Sequence, residues 1–542
     1  MSARAGRACV RLRGAGAPSP AVRAAIRAWA SAVLLAAAVW LGLFFRLGAF
    51  PLFDVDEGAF GEATREMLAR GDYVSTWLNG LPRFDKPILA YWLQAASLQL
   101  FGADEFALRL PSALAGGAWI AALLAFGQRV LDRDGAWAAA FIAATTAGVN
   151  VIGRGAIADA LLNLFLALAM FDLYRVFAAP DDAAAAVPRR RVYLWMALGL
   201  LAKGPVALLV PGAASALAFG LHGGLGRWWR GVRDPAGWLI LVGVAGPWYA
   251  LEYARRGDAF LAGFFVHHNV ERFLAPLQGH GGGPLYYVPA LLLLLLPWTG
   301  LFLAALPGVR HLRAHPLDSF LWCWFLFVLG FFSLAATKLP HYLLYGATPL
   351  FILMARVRGD VRSNALAFAP PLLFLGVLAA LPALLRWQAP AARNAWVRET
   401  LARPEAFGPG WQATAVALLL VVLLTACWRA PVWPRLAATA VACSYAVAVL
   451  LLPALGELQQ GPVKEAALLA RQAGWDVRRW RIDAPSFSFY RGAVTPAVDA
   501  PPPGAVILTR ADALDGPAVP DGLAGARTLY RKGGIVLLRV PD

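Results

Sequence analysis

Charge is what this chain has least of: Asp, Glu, Lys and Arg make up 15% of its 542 residues against 59% hydrophobic, at a mean hydropathy of +0.59. That balance excludes a soluble globular protein and describes a polytopic membrane protein. Acidic residues are the scarcer sign, 32 against 49 basic, and the resulting net charge of +17 asks for a location rather than a nucleic-acid partner. Basic residues of membrane proteins gather in cytoplasmic loops. Cysteine is scarce too. Cys9, Cys323, Cys427 and Cys443 are scattered, mostly within apolar runs, which excludes a disulfide framework and a metal knuckle. No small-residue cleavage site follows the arm that holds Arg4, Arg7, Arg11, Arg13, Arg23 and Arg27, so the apolar run after it reads as an uncleaved anchor.

What the chain has in quantity is long apolar sequence. A helix needs ~20 apolar residues to cross the hydrocarbon, and the candidate runs are 28–47, 108–128, 136–152, 157–178, 192–202, 204–221, 236–253, 284–306, 318–336, 341–355, 364–386, 411–428 and 433–454. Loop charge supplies an independent check. With the arginine-rich N-terminus in the cytoplasm, every second loop should be basic. It is, at Arg129 and Arg133, Arg189 to Arg191, Arg227 to Arg233, Arg310 and Arg313, Arg356 to Arg362, and Arg429 and Arg435. The parity keeps 192–202 and 204–221 as two short helices broken at Lys203-Gly204-Pro205. It leaves Ile88 to Phe101 uncrossed, in the interface or re-entering from outside.

The expected fold is therefore an all-α polytopic membrane protein of about 13 transmembrane helices. A cytoplasmic basic arm covers 1–27, a transmembrane domain 28–455 with an external loop 48–107, and a small external α/β domain 456–542. In that tail Val463 to Gln472 reads as a helix, and Val477 to Ile482, Ala505 to Thr509 and Ile535 to Val540 as strands. The tail carries no recognisable catalytic motif, and 387–410 reads as a polar external loop.

Parity places the unusual polar residues on one face of the membrane. The stretch Asp54 to Pro87 holds Asp54, Asp56, Glu57, Glu62, Glu66, Asp72, Asp85 and Lys86, with the acidic cluster at the start of an expected helix from Ala59 to Ala69, where a helix N-terminus favours negative charge. Asp159 stands at the outer end of an apolar helix, where ionisable groups are costly and usually functional; the bland alternative is a first-turn carboxylate favoured by the helix dipole. Lys86, Lys203, Arg272 and Lys338 put positive charge on the outer side, against the positive-inside bias, which suggests an anionic ligand there. Arg272 also suits phosphate, since a guanidinium meets phosphate in a fixed fork. Adjacent His267 and His268 do not share a helix face, so a metal would need one of them with Asp85 and another carboxylate.

Taken in order, several motifs resemble a known family: Asp56-Glu57, Arg65-Glu66-Met67-Leu68, Leu78-Asn79-Gly80, Phe84-Asp85-Lys86-Pro87, Tyr91-Trp92-Leu93, Arg109-Leu110-Pro111-Ser112, the Asp159 segment, Lys203-Gly204-Pro205, Pro247-Trp248-Tyr249, His267 to Phe273, and Thr337-Lys338-Leu339-Pro340-His341-Tyr342. From the first span to about residue 355 the chain resembles the bacterial branch of the protein mannosyltransferase superfamily, with its closest likeness to the lipid A aminoarabinose transferases of glycosyltransferase C fold.

The resemblance implies an enzyme of the bacterial inner membrane, multi-pass, with a cytoplasmic N-terminus and a periplasmic C-terminal domain. It would transfer a sugar from a polyprenyl-phosphate carrier, a membrane lipid, to lipid A, a glycan or a protein. By position Asp56 and Asp159 match the acidic catalytic residues, Lys86 and Arg272 the donor-phosphate ligands, and Glu57, Lys203, Lys338, His341 and Tyr342 are candidate substrate contacts. Asp85, with His267 or His268, matches positions implicated in binding a divalent metal, the one candidate cofactor. Gly58-Ala59-Phe60 and Arg83 depart from the pattern, Arg83 standing where a tyrosine is usual, which bears on the sugar and acceptor. An inverting single displacement is expected, with Lys86 and Arg272 stabilising the departing phosphate and Asp56 taking the acceptor proton. A transporter or flippase of lipid-linked sugars is the rival reading; such proteins place polar residues near the midplane within internal repeats, and no repeat is visible. A non-catalytic scaffold is the second rival.

Overall fold

Apolar runs in a membrane must satisfy their own backbone hydrogen bonds, and this chain does so almost wholly as helix. The computed structural model describes residues 20–275, 281–361, 363–515, 519–523 and 525–542, leaving aside the side chains of 20–27, 269, 270, 272, 284 and 521. Among the described residues, five helices are long and apolar enough to cross a bilayer: Glu105–Val130, Asp159–Ala178, Pro316–Leu334, Asn364–Ala391 and Val432–Gln472. Two bent pairs raise the number to seven, Arg133–Ala144 with Ala147–Arg154 at 58° and Tyr287–Leu294 with Thr299–His311 at 116°. Length and apolarity alone therefore do not reach the expected thirteen. The remaining apolar helices are shorter, among them Ala28–Phe44, Val206–Leu221 and Trp411–Cys427.

The helix Asp182–Lys203 ends where Gly204 turns to a φ of 96°, and Val206–Leu221 begins two residues later. The break expected at Lys203-Gly204-Pro205 is there, and it leaves the ammonium of Lys203 at a helix C-terminus, where the dipole favours a cation. Deep in the bundle, indole N–H groups find partners: Trp119 donates to Thr348 at 3.0 Å and Trp298 to Thr145 at 3.1 Å. Trp324 donates to the carbonyl of Tyr345 at 2.7 Å, which fixes the backbone beside the site described below.

The loop 48–107 is folded rather than merely solvated. The helix Asp56–Arg70 ends at Gly71, left-handed at φ 67°, a usual glycine stop. A small hairpin pairs Trp77–Leu78 with Leu81–Pro82 through Asn79 and Gly80, both at positive φ, as a tight antiparallel turn requires. Ile88 to Phe101 becomes the helix Leu89–Phe101, 13 residues and too short to span.

One ion pair ties this loop to the bundle. Glu57, only 4% exposed, accepts from Arg109 Nε at 2.9 Å and Nη2 at 2.8 Å, from the amide of Phe53 at 2.9 Å, and from the amide of Ala156 at 2.7 Å. Arg109 spends its remaining donors on the carbonyls of Leu47, Phe50 and Pro51. Glu57 thus joins the loop, the helix Glu105–Val130 and the turn that leads into Asp159. The expectation that Glu57 contacts substrate is corrected: every direction in which it could reach out is taken up by structure.

The tail begins inside a helix. Val432–Gln472 runs unbroken past residue 456, so the last span and the first element of the tail are one rod. Four strands follow in the order Val477–Arg479, Val506–Arg510, Ile535–Arg539 and Arg527–Lys532, the first pair parallel and the other two antiparallel. Three lie where the sequence reading put them. The segment 387–410 is not a free loop, because its helix Ala395–Leu401 packs on the tail: Thr400 donates to the carbonyl of Gly533 and Asn394 to Asp512.

The tail also docks onto the loop 48–107 through the helix Pro485–Arg491. Ser486 donates to Asp54 from its amide at 2.9 Å and its hydroxyl at 2.5 Å, Ser488 to Asn79 at 2.6 Å, and Tyr490 to Glu105 at 2.9 Å. Gly58 is obligatory there, since a Cβ would stand 1.9 Å from Asp54 and 2.6 Å from the Ser486 amide. Burial pushes both Asp54 and Glu62 at this interface up to about 7, the hydrogen bonds from Ser486 and Arg65 offsetting it only in part. A carboxyl whose folded pKa is raised adds stability at acid pH and loses it as pH climbs from its ordinary value towards 7. Thermal unfolding of the detergent-purified protein is therefore expected to show a higher Tm near pH 5 than near pH 8. Asp54→Asn with Glu62→Gln should flatten the difference; an unchanged slope would contradict the assignment.

Candidate active site

Two carboxylates organise the site, one from the loop 48–107 and one from the helix Asp159–Ala178. Asp85 offers one oxygen to Lys86 at 2.6 Å and the other to Arg83 at 2.8 Å, and His268 Nδ1 lies 3.2 Å away. Burial opposes its ionisation, but Lys86, Arg83 and His268 outweigh that and hold its carboxyl well below the usual range. Asp159, 3% exposed, takes Lys203 Nζ on both oxygens at 2.6 Å, accepts the Tyr345 hydroxyl at 2.6 Å, and has His341 Nε2 at 3.5 Å. The Lys203 ammonium also stands over the rings of Tyr342 and Tyr345, at 5.5 and 5.6 Å.

Some of these groups share one cavity of about 470 Å³, lined by Asp85, Lys86, Lys203, His268 and Tyr345 together with apolar residues such as Leu209, Phe265, Phe273, Phe331 and Phe332. Residues more than a hundred positions apart in sequence meet here. A space lined by ammonium groups together with aliphatic and aromatic surface suits an amphipathic anion.

Asp56 is exposed at the first turn of its helix, makes no hydrogen bond or ion pair with the described residues, and acts electrostatically on Arg83 and Tyr91. His341 stands against Asp159, and Tyr342 lies in the cavity wall. Arg272 opens the short helix Arg272–Leu274 next to the cavity residues Phe273 and Leu274; its side chain lies outside the described residues.

Lys338 does not fall where expected. Its ammonium, 4% exposed, donates to the carbonyls of Ser333 at 2.7 Å and Ala335 at 2.8 Å, capping the C-terminus of Pro316–Leu334. It holds the cavity wall instead of a substrate. Of the expected metal donors, His268 stands beside Asp85 at 3.2 Å. His267 pairs with Glu271 at 2.7 Å, away from Asp85, and among the described residues no three metal-ligating side chains come together.

Sequence reasoning missed Tyr345, and it singled out Arg83 only as a departure from the family pattern. Tyr345 carries no charge and sits inside an apolar run, so nothing in the sequence marks it. Arg83 carried a signal, being a charged residue two positions before Asp85.

The bundle, its helical loop 48–107 and the cavity define a multi-pass membrane protein of the glycosyltransferase C fold. Residues 85–246 match the family model described as dolichyl-phosphate-mannose-protein mannosyltransferase. The chain is 32% identical over 338 residues to an undecaprenyl phosphate-alpha-4-amino-4-deoxy-L-arabinose arabinosyl transferase of Serratia proteamaculans, a match covering 61% of this chain and 59% of that one. It is 34% identical over 345 residues to the protein of the same name in Yersinia enterocolitica, covering 60% and 59%. The matched stretch thus spans well under two thirds of these relatives' length. The crystal structure of ArnT from Cupriavidus metallidurans bound to undecaprenyl phosphate superposes with a TM-score of 0.75 at 22% identity, over 94% of this chain and 97% of that one.

Proposed function

We propose that this chain is a glycosyltransferase that takes a sugar from undecaprenyl phosphate and passes it to a hydroxyl of an acceptor outside the cytoplasm, lipid A being the acceptor that the resemblance favours. The observation that carries the reading is the cavity in which Lys86 and Lys203 face apolar walls. A polyprenyl phosphate has the same two-sided chemistry. The names of the Serratia and Yersinia relatives and the lipid held by the Cupriavidus protein support it.

In the proposed reaction the acceptor oxygen bonds to the anomeric carbon while the bond from that carbon to the phosphate oxygen breaks, its electron pair leaving with the phosphate. Lys86 and Arg272 would stabilise the charge gathering on the departing oxygens in a site partly shielded from water. Asp56, the acid with no partner among the described residues, would take the acceptor proton. Asp159 would act through Lys203, holding its ammonium towards the cavity with the help of Tyr345. One displacement inverts the anomeric centre. The proposal places the protein in the bacterial inner membrane, with 1–27 in the cytoplasm, 28–455 as the transmembrane domain, and the loop 48–107 and the domain 456–542 in the periplasm.

Purified protein in liposomes, supplied with labelled undecaprenyl-phosphate sugars and lipid A, tests this. Transfer to lipid A detected by mass spectrometry is expected. Lys86→Ala should cost about 10²- to 10³-fold in turnover, as loss of an electrostatic clamp does. No turnover of any donor, with any acceptor, would refute the reading.

A further inference from the structure

Beside the first apolar helix lies a second large cavity, a groove of about 780 Å³ that shares no lining residue with the cavity at Lys86. Three helices wall it: Ala28–Phe44 from Ser31 to Leu41, Arg133–Ala144 from Asp134 to Phe141, and Val432–Gln472 from Trp433 to Val441. They run the same way, because they meet again just past its far end. There Ser444 donates to the carbonyl of Thr145 at 3.4 Å, and Tyr445 stacks on Phe45 at 6.3 Å. The groove is open to its surroundings, since Leu34 and Trp40 in its wall are 62% and 54% exposed. From Ser31 to Leu41 it runs about 15 Å at the rise of a helix, half of the ~30 Å hydrocarbon core. That is the depth of one leaflet.

Its two ends differ in charge. Two charged residues line it, Asp134 and Arg358, and they are of opposite sign. Both stand where the helices begin, since a Cβ on Gly135 would lie 3.5 Å from Arg358 Nη1. Arg358 donates to the carbonyl of Ala355 at 2.6 Å and lies 3.5 Å from Asp132, whose side chain is 70% exposed. So exposed a partner holds a guanidinium weakly, and a guanidinium has five donors to give. One cation and one anion side by side fit a headgroup that carries both signs; a purely anionic one would meet Asp134. Trp137, about one helical turn beyond Asp134, and Trp433 line the groove too, and neither indole N–H donates to a described residue. They offer donors at the level where the ester carbonyls of a lipid lie below its headgroup. Past them the wall is apolar, with Leu41, Phe141 and Val441 at the far end.

We propose that this groove holds a phospholipid whose headgroup joins a phosphate to a primary ammonium, the phosphate on Arg358, the ammonium on Asp134, and an acyl chain along the apolar wall. By the parity of the basic loops it is a lipid of the cytoplasmic leaflet. The proposal stands apart from the transferase reading, and a lipid here leaves the Lys86 cavity to the carrier. The carrier itself suits this groove poorly, because a polyprenyl phosphate has no ammonium to set against Asp134.

The test places the full-length protein in nanodiscs of equal parts phosphatidylethanolamine and phosphatidylglycerol with the same acyl chains, and reads the lipids it retains, and its oligomeric state, by native mass spectrometry. The unmodified protein is expected to keep phosphatidylethanolamine at least about tenfold more often than phosphatidylglycerol, as loss of one charge-assisted hydrogen bond and gain of a repulsion would require. Asp134→Lys should invert that preference, which a merely structural role of Asp134 would not do. Arg358→Gln should lower retention of phosphatidylethanolamine at least about tenfold, and Arg358→Lys, which keeps the charge, should recover most of it. Equal retention of the two lipids, a preference for phosphatidylglycerol in the unmodified protein, or a preference that Asp134→Lys leaves unchanged overturns the proposal. So does a stable dimer that carries neither lipid, since the groove would then be a contact between two copies of the chain.

Discussion

Asp56→Asn is expected to lower sugar transfer by about 10²- to 10⁴-fold, the usual worth of a positioned proton acceptor, while affinity for undecaprenyl phosphate stays within about twofold. The reason lies in the difference between the three acids of the site. Asp85 is neutralised by Lys86 and Arg83, and Asp159 by Lys203 with the Tyr345 hydroxyl. A carboxylate paired this closely with cations is a weaker base than an unpaired one. Asp56 is exposed and unengaged by the described residues. The check is single-turnover transfer alongside carrier binding in the same liposomes; a loss of binding that matches the loss of rate would make Asp56 a ligand and not a base.

Arg109→Met is expected to destabilise the protein by about 3–5 kcal/mol, because it leaves the carboxylate of Glu57 buried without its cation. The side chain of Arg109 is 0% exposed and that of Glu57 6%. Three carbonyls, those of Leu47, Phe50 and Pro51, lose their donor at the same time. Arg255→Met provides the contrast. Arg255 pairs with Asp72 at 2.7 Å, but its side chain is 50% exposed, and such pairs are worth about 0–1 kcal/mol. Denaturant or thermal unfolding of the two variants side by side decides the matter; equal losses would mean that the buried pair does not hold the loop to the bundle. Since Glu57 also holds the Ala156 amide in the turn before Asp159, the same variant should lose transfer activity beyond its loss of folded protein.

Much of this arrangement is legible in the sequence, and the rest is not for identifiable reasons. The break at Lys203-Gly204-Pro205 is written in residue types that end helices, and the Asn79-Gly80 turn in types that accept positive φ. Two of the tail strands, Val506–Arg510 and Ile535–Arg539, announce themselves by short apolar runs rich in β-branched residues between turns. Glu57 is different. It has the same chemistry as its neighbour Asp56, and what separates a structural acid from an exposed one is Arg109, 52 positions later. Lys338 and Lys203 likewise look alike, each a lysine at a helix break, yet one spends its donors on helix-end carbonyls and the other on a carboxylate. The short helix Pro485–Arg491 has too few residues to show a period, and its role as the tail's contact with the loop depends on Asp54, more than 400 positions earlier. Local pattern carries the elements; pairing across long separations carries the site.

The central claim is that the cavity between the external loop and the helix breaks receives a polyprenyl phosphate. Cryo-electron microscopy of the protein in nanodiscs with undecaprenyl phosphate tests it most directly. The account predicts phosphate density within hydrogen-bonding reach of Lys86 Nζ, with the isoprenoid chain leaving along Leu209, Phe273 and Phe331. Phosphate density in the separate groove of about 780 Å³ beside Trp40, Trp137, Arg358 and Trp433, with the Lys86 cavity empty of lipid, would contradict it.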